Sequence, residues 1–235
     1  MDFNSFTLEQ RLKQLYDRIR AAALRSNRKF EEIQLVAVSK TVEPERMICA
    51  IEAGVKILGE NRVQEAKRKW PLIEPTARSR QCEFHLVGHL QTNKAKDAVK
   101  LFDLIHSVDS ERLAEELDHR AGENGKIQRV LIEVNTSGET TKYGVHPDNL
   151  PVLSKMIRST RNLRLEGLMT IGPLGGGGEA TRASFRLLRN LRDRLSDANF
   201  QMKLSMGMSQ DFEIAIEEGA DFIRIGTSIF GERIG

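Results

Sequence analysis

Apolar residues along the chain recur at two different spacings, and the spacing switches repeatedly. At the start, Leu8, Leu12, Leu15, Ile19 and Ala23 stand three or four apart, which predicts an amphipathic helix over roughly residues 6 to 25. Beyond it lie short apolar runs at 34–40 (QLVAVSK), 56–62, 83–89, 104–109, 129–135, 163–171, 203–209 and 222–231. Their length and content predict strands. Helical patterns separate them near 44–53, 62–69, 92–101, 110–122, 148–160, 180–196 and 211–218, several opened by Asp, Ser or Pro. Strands alternating with helices predict a parallel sheet. Eight such units predict an α/β fold, a single (β/α)8 TIM-type barrel with an extra N-terminal helix, occupying residues 1–235 as one domain. An open doubly wound sheet is the alternative.

A barrel of this kind carries its functional groups at the C-terminal ends of the strands, with a phosphate site after the seventh and eighth. Polar residues fall there: Lys40, Glu60-Asn61-Arg62, His89, Asn135, Ser209, and Arg224 followed by Gly226-Thr227. Alternation in FIRIG sends Ile223 and Ile225 to one face and Phe222, Arg224 and Gly226 to the other. Helices cover the outside with apolar contacts, so Arg224 is expected inside. The same parity groups Val36, Val38 and Lys40, and also Leu131, Glu133 and Asn135. In a closed barrel the first and last strands are neighbours, which brings Lys40 and Arg224 to one small apolar mouth. Two cations there call for a bound anion or a neutral lysine. A lysine desolvated beside another cation is an amine nucleophile toward carbonyls, which points to a Schiff base. If the carbonyl compound carries phosphate, Ser209, Gly226 and Thr227 stand at turns and helix starts where backbone amides meet anions. Pyridoxal 5'-phosphate (PLP) meets all three demands: aldehyde to Lys40, phosphate to the last two loops, ring nitrogen to a side chain such as Arg224.

Composition narrows the setting. Of 235 residues, 40% are hydrophobic and 29% charged, as in soluble globular proteins. No apolar run approaches a membrane span, and the polar start does not read as a secretory signal, so a cytoplasmic protein is expected. A net charge of +3 without a basic block gives no reason to expect nucleic acid. Cys49 and Cys82 lack metal-ligand spacing and are each expected to be small buried residues. His85 and His89 share one strand face and imitate a metal pair, but no third ligand accompanies them, and hydrogen-bonded barrel histidines are expected instead. The glycine-rich run at 172–180 lacks the Lys and Ser/Thr of a phosphate loop and reads as a mobile connection. Lys142 and Tyr143 are either solvated loop residues or a gate over the site. Lys94, Lys96 and Lys100 read as a solvated helix face, and Met202, Met206 and Met208 as core packing.

The segments VAVSKT, LGENRVQE, FHLVGHLQTNK, LIEVNTSGETTKYG, GLMTIGP, LSMGMSQDFEIAIEEGA and RIGTSIFGER, in this order, resemble the pyridoxal phosphate homeostasis protein family, whose fold is similar to the N-terminal barrel of alanine racemases. The resemblance runs from about residue 5 to the C-terminus. It implies that Lys40 is the Schiff-base lysine and that Arg224 faces the pyridine nitrogen. It further implies that Ser209, Gly226 and Thr227 hold the phosphate and that Asn61 lies near the cofactor. The family is regarded as carriers or regulators of vitamin B6 and amino-acid or keto-acid pools. No catalytic residue, no metal, a monomer and transient contact with PLP-dependent apoenzymes follow as expectations. The residues agree: an arginine at the ring nitrogen, always protonated, cannot accept a proton from it, which weakens the ring as an electron sink. Alanine racemases bring a second acid/base from an added β-domain that a chain of this length is not expected to contain. The glycine-rich 172–180 run departs from the family pattern. Two alternatives remain, a PLP-dependent racemase or lyase and a barrel for another phosphorylated metabolite.

Overall fold

Eight strands pair in chain order, each parallel to the next, and the last returns to the first to close a barrel. They are β1 (Gln34–Val38), β2 (Ile57–Glu60), β3 (Glu83–Leu86), β4 (Leu104–Val108), β5 (Gln128–Glu133), β6 (Leu163–Met169), β7 (Lys203–Ser205) and β8 (Phe222–Ile225). The structure is a computed structural model, and it describes residues 7–173, 175, 177–197 and 200–231. Around the barrel run α1 (Leu8–Arg25), α2 (Pro44–Glu52), α3 (Val63–Ser79), α4 (Ala95–Leu101), α5 (Glu111–Glu123), α6 (Leu150–Ser159), α7 (Gly177–Leu195), α8 (Phe212–Glu217) and α9 (Thr227–Phe230). The extra helix α1 starts at a capping box, in which Thr7 and Gln10 satisfy each other's backbone amides. Arg18 and Arg25 then tie it to α8 through Glu213 and Glu217.

Strand alternation sorts the core into two layers. Val36, Val38, Ile57, Val87, Leu104, Leu131, Met169 and Phe222 fill the barrel. Leu35, Ala37, Ile223, Ile225 and their counterparts on other strands pack outward against the helices. The parity read from FIRIG and QLVAV therefore holds. Between β5 and β6 the register slips, Val130 pairing with Leu165 but Leu131 with Gly167, so Glu166 is a bulge residue. Alternation alone gives no hint of it.

Several boundaries differ from the sequence-based expectation. The pattern ends the third helix at residue 69, before Pro71, yet α3 continues to Ser79 through Pro71 and Pro75. Both prolines are exposed, so the carbonyls they leave unpaired are on the wet side. Trp70, Ile73 and Ala77 hold the other side down, with Trp70 stacked on Phe84 at 4.9 Å between ring centroids. Packing here outweighs the local cost of proline. The strands stop two or more residues short of several predicted ends, and the last run divides into β8 and α9. Cys49 is exposed rather than buried, whereas Cys82 is buried and its thiol is pushed up to about 12 by desolvation. Met202 and Met206 are in the core, but Met208 is exposed beside the mouth. Lys94 is half-buried, and Lys96 and Lys100 are exposed as expected.

Candidate functional site

The C-terminal mouth begins where β1 ends. After Val38 comes buried Ser39, then Lys40, then Thr41 with φ of 62°. That left-handed turn directs the chain over the rim. The turn is clamped on both sides of Lys40 by one buried ion cluster. Lys69 on α3 donates to the Ser39 carbonyl at 2.8 Å and to Glu60 at 2.8 Å, and it pairs with Glu65 at 2.6 Å. Glu65 in turn accepts the Thr41 amide at 2.6 Å, and the Ser39 hydroxyl donates to Glu60. Burial pushes the Glu60 carboxyl up, and Lys69 opposes it. The Lys40 side chain itself is exposed and has no hydrogen-bond or ion-pair partner among the described residues. The expected desolvation of this lysine is therefore not found, because the strand ends two residues earlier and leaves it on the rim.

Across the closure of the barrel lie the last two strands. Val36 pairs with Arg224 and Ala37 with Ile225. A Cβ on Gly226 would stand 3.1 Å from the Val38 carbonyl oxygen, so a side chain there would press on the segment that leads to Lys40. Gly226 caps α9, Thr227 is its exposed first residue, and Ser209 sits half-buried in the turn before α8. The first amides of such helices have no acceptor within the helix. Gly207, at φ of 91°, turns the chain under Ala215 and accepts the Arg224 amide. Asn61 is half-buried after β2, and its carbonyl is approached so closely by Gly88 that a Cβ there would be 2.4 Å away.

Arg224 is 5% exposed and points into the barrel. Its Nη1 donates to Ser205 Oγ at 2.7 Å and its Nη2 to the Thr170 carbonyl at 2.8 Å. Burial lowers its pKa to about 10 against the pull of Glu133 and Asp211. Glu133, 4% exposed, is pushed up to about 7 by burial and by Asp109, with Arg224 opposing. Its Oε2 has no hydrogen-bond partner among the described residues. Around the same rim, His89 lies 3.4 Å from Asp109 and is stacked under Tyr143, with ring centroids 3.7 Å apart. Lys142 is not a free loop lysine: it donates to the Gly172 carbonyl at 2.6 Å and pairs with Glu139 at 3.0 Å. The loop after β5 is thereby tied to the start of the glycine-rich run.

His85 and His89 do not form a pair. His85 is fully buried and hydrogen-bonded to Glu83 and His106, as expected for a barrel histidine, while His89 belongs to the mouth. Among the described residues no three ligating side chains gather as a metal site. Sequence reasoning missed Lys69, Ser205 and His106. Lys69 carried a signal, a lysine four residues after Glu65 on a helix face. His106 carried another, a histidine flanked by Leu104, Ile105 and Val108 in a buried strand.

Comparison with known proteins agrees with this fold. The family described as alanine racemase, N-terminal domain, matches residues 11–234. A pyridoxal phosphate homeostasis protein of Aquifex aeolicus is 45% identical over 226 residues, covering 95% of this chain and 97% of its own. The structure of PipY of Synechococcus elongatus with PLP bound superposes with a TM-score of 0.82 at 37% identity, covering 96% of this chain and all (100%) of that one. An alanine racemase of Clostridium difficile shares the fold at 17% identity and a TM-score of 0.70, with 93% of this chain matching 56% of that one. Among the described residues no helix is long and apolar enough to cross a membrane.

Proposed function

From the membership of this chain in the pyridoxal phosphate homeostasis protein family, with its alanine racemase N-terminal type barrel, we propose that it binds PLP reversibly at the C-terminal mouth and serves vitamin B6 homeostasis in the cytoplasm. It stores the cofactor, delivers it to PLP-dependent apoenzymes by transient contact, and so affects amino-acid and keto-acid balance without turnover of its own. The observation that carries this reading is Arg224. A guanidinium buried beneath the mouth, bonded to Ser205 and Thr170, keeps further N–H groups for a ligand acceptor. A pyridine nitrogen is such an acceptor.

The other residues fit the same group. Lys40 offers an unpartnered amine at the rim to an aldehyde. Its exposure suits a carrier, since water and competing amines reach the link. Ser209, Gly226 and Thr227 offer hydroxyls and helix-start amides to a phosphate, and Asn61 closes the site from β2. The clamp from Lys69 to Ser39 and Thr41 fixes where Lys40 emerges. PLP, when bound, supplies an electrophilic aldehyde and an electron-withdrawing ring. Arg224 tempers the second of these, because it donates to the ring nitrogen and takes no proton from it.

A titration of wild-type protein and Lys40→Ala with PLP tests the binding claim, and incubation of the loaded protein with L-amino acids in deuterated water tests the absence of turnover. The carrier reading expects tight, lysine-dependent uptake and no exchange at Cα. One observation favours a second reading, a PLP-dependent enzyme: Glu133 titrates near neutrality at the mouth, where an acid/base would be useful. Sustained Cα exchange that disappears in Glu133→Gln would establish it.

A further inference from the structure

A line of polar side chains crosses the barrel core beneath Arg224. Ser205 on β7 faces His106 on β4, with Oγ 2.9 Å from Nδ1. His106 Nε2 lies 3.1 Å from His85 Nδ1, and His85 Nε2 lies 2.7 Å from Glu83 at the opposite end of the barrel. Ser205, His85 and His106 have no exposed surface. The Phe222 ring packs in T-shaped contact with both imidazoles, at 5.9 and 5.4 Å between centroids. Arg129 pairs with Glu83 at 2.9 Å and with Glu166 at 2.8 Å, closing the far end.

The two ends determine every proton between them. Glu83 is held down to about 2, chiefly by His85, and is an acceptor only. His85 must therefore carry its proton on Nε2, which leaves Nδ1 to accept from His106 Nε2–H. His106 Nδ1 is then bare and accepts the Ser205 hydroxyl proton. Ser205 Oγ is thereby left with lone pairs for Arg224, a group that can only donate. The reverse order would set the bare Nε2 of His85 against a carboxylate. Burial also opposes a charged imidazole: His85, facing Glu83, Arg129 and Asp103, is lowered, and His106, facing His85, Arg224 and Arg129, is lowered further.

We propose that Ser205, His106, His85 and Glu83 form a proton-ordered hydrogen-bonded column that positions Arg224 for the ligand's ring nitrogen. The proposal rests on the reading of the mouth as a PLP site, and its members are positioning residues that do not touch the ligand. With the His106 proton on Nδ1 instead, one Ser205 lone pair would be taken by that N–H and the hydroxyl proton would lose its acceptor, which weakens the hold on Arg224 Nη1 and leaves the Thr170 carbonyl as its other anchor.

The test has two arms. In the ligand-free protein, 15N chemical shifts of labelled histidine should show His85 and His106 as neutral Nε2–H tautomers at pH 7. In the second arm, Ser205→Ala should lower PLP affinity roughly tenfold, the loss expected for a hydrogen bond to a charged group, with Lys40 still the labelled residue after borohydride reduction. Ser205→Thr, which keeps the hydroxyl, should restore most of it. An Nδ1–H tautomer or an imidazolium at either histidine would overturn the column while leaving the mouth reading intact. Unchanged affinity in Ser205→Ala would overturn its positioning role. Wild-type protein that takes up no PLP would overturn the mouth reading and the column's role together, yet the tautomers would still report the column.

Discussion

Lys69 illustrates how a residue far from any reacting atom controls the site. It is 8% exposed and makes its bonds to the Ser39 carbonyl and Glu60 inside the protein. Removing one member of a buried ion cluster costs about 3–5 kcal/mol, because the remaining charge is left without compensation. Lys69→Met should therefore lower the stability measured by urea unfolding by about that much, and Glu60→Gln in the same background should return most of the loss. Recovery of stability without recovery of Lys40 reactivity toward PLP would show that the clamp also orients the lysine. Glu133 gives a pH prediction. Its folded-state pKa, about 7, lies above the ordinary 4.5, so the folded state holds the proton more tightly. The associated stability is present in full below pH ~4.5, declines as pH rises and is lost above pH ~7. Glu133→Gln, always neutral, should stabilise the ligand-free protein at pH 8 by up to about 3 kcal/mol relative to wild type and by little at pH 4.5. Equal effects at both pH values would contradict the assignment.

Elements carry the next level of constraint. The β5–β6 bulge sets Gly167 against β7, where a Cβ would fall 2.0 Å from the Lys203 carbonyl oxygen. No side-chain adjustment relieves a clash with backbone, so Gly167→Ala should cost on the order of 3 kcal/mol or abolish folding, measured by thermal unfolding. A variant that melts with wild type would mean that β6 and β7 separate more easily than their register implies. This bulge was not legible in the sequence, since Leu163–Met169 alternates acceptably without it. The continuation of α3 through Pro71 and Pro75 was equally hidden, because proline is read as a stop unless the packing of Trp70 and Ile73 is known. The inward turn of Arg224, by contrast, was legible from its isoleucine neighbours alone. For Lys40 a desolvated environment was expected and an exposed one is found, since strand periodicity says nothing about where the pairing stops. His106, Ser205 and Glu83 became a column only once β3, β4, β7 and β8 were set around one axis.

At the scale of the whole molecule, barrel closure explains why residues so far apart in the chain act together. The pairing of Val36 with Arg224 joins the first strand to the last and brings the Lys40 turn, Gly226 and the Arg224 guanidinium to one mouth. Eight strand runs separated by helical patterns were enough to anticipate that closure. The same geometry gives the protein one polar axis, with Arg224 near the mouth and the Glu83, Arg129 and Glu166 cluster at the base. The most direct test of the account is at its upper end. Purified protein is saturated with PLP, reduced with borohydride and digested, and the modified peptide is located by mass. The account predicts a single label on the peptide that carries Lys40, and none in Lys40→Ala. A label on Lys142, or one scattered over surface lysines, would contradict it.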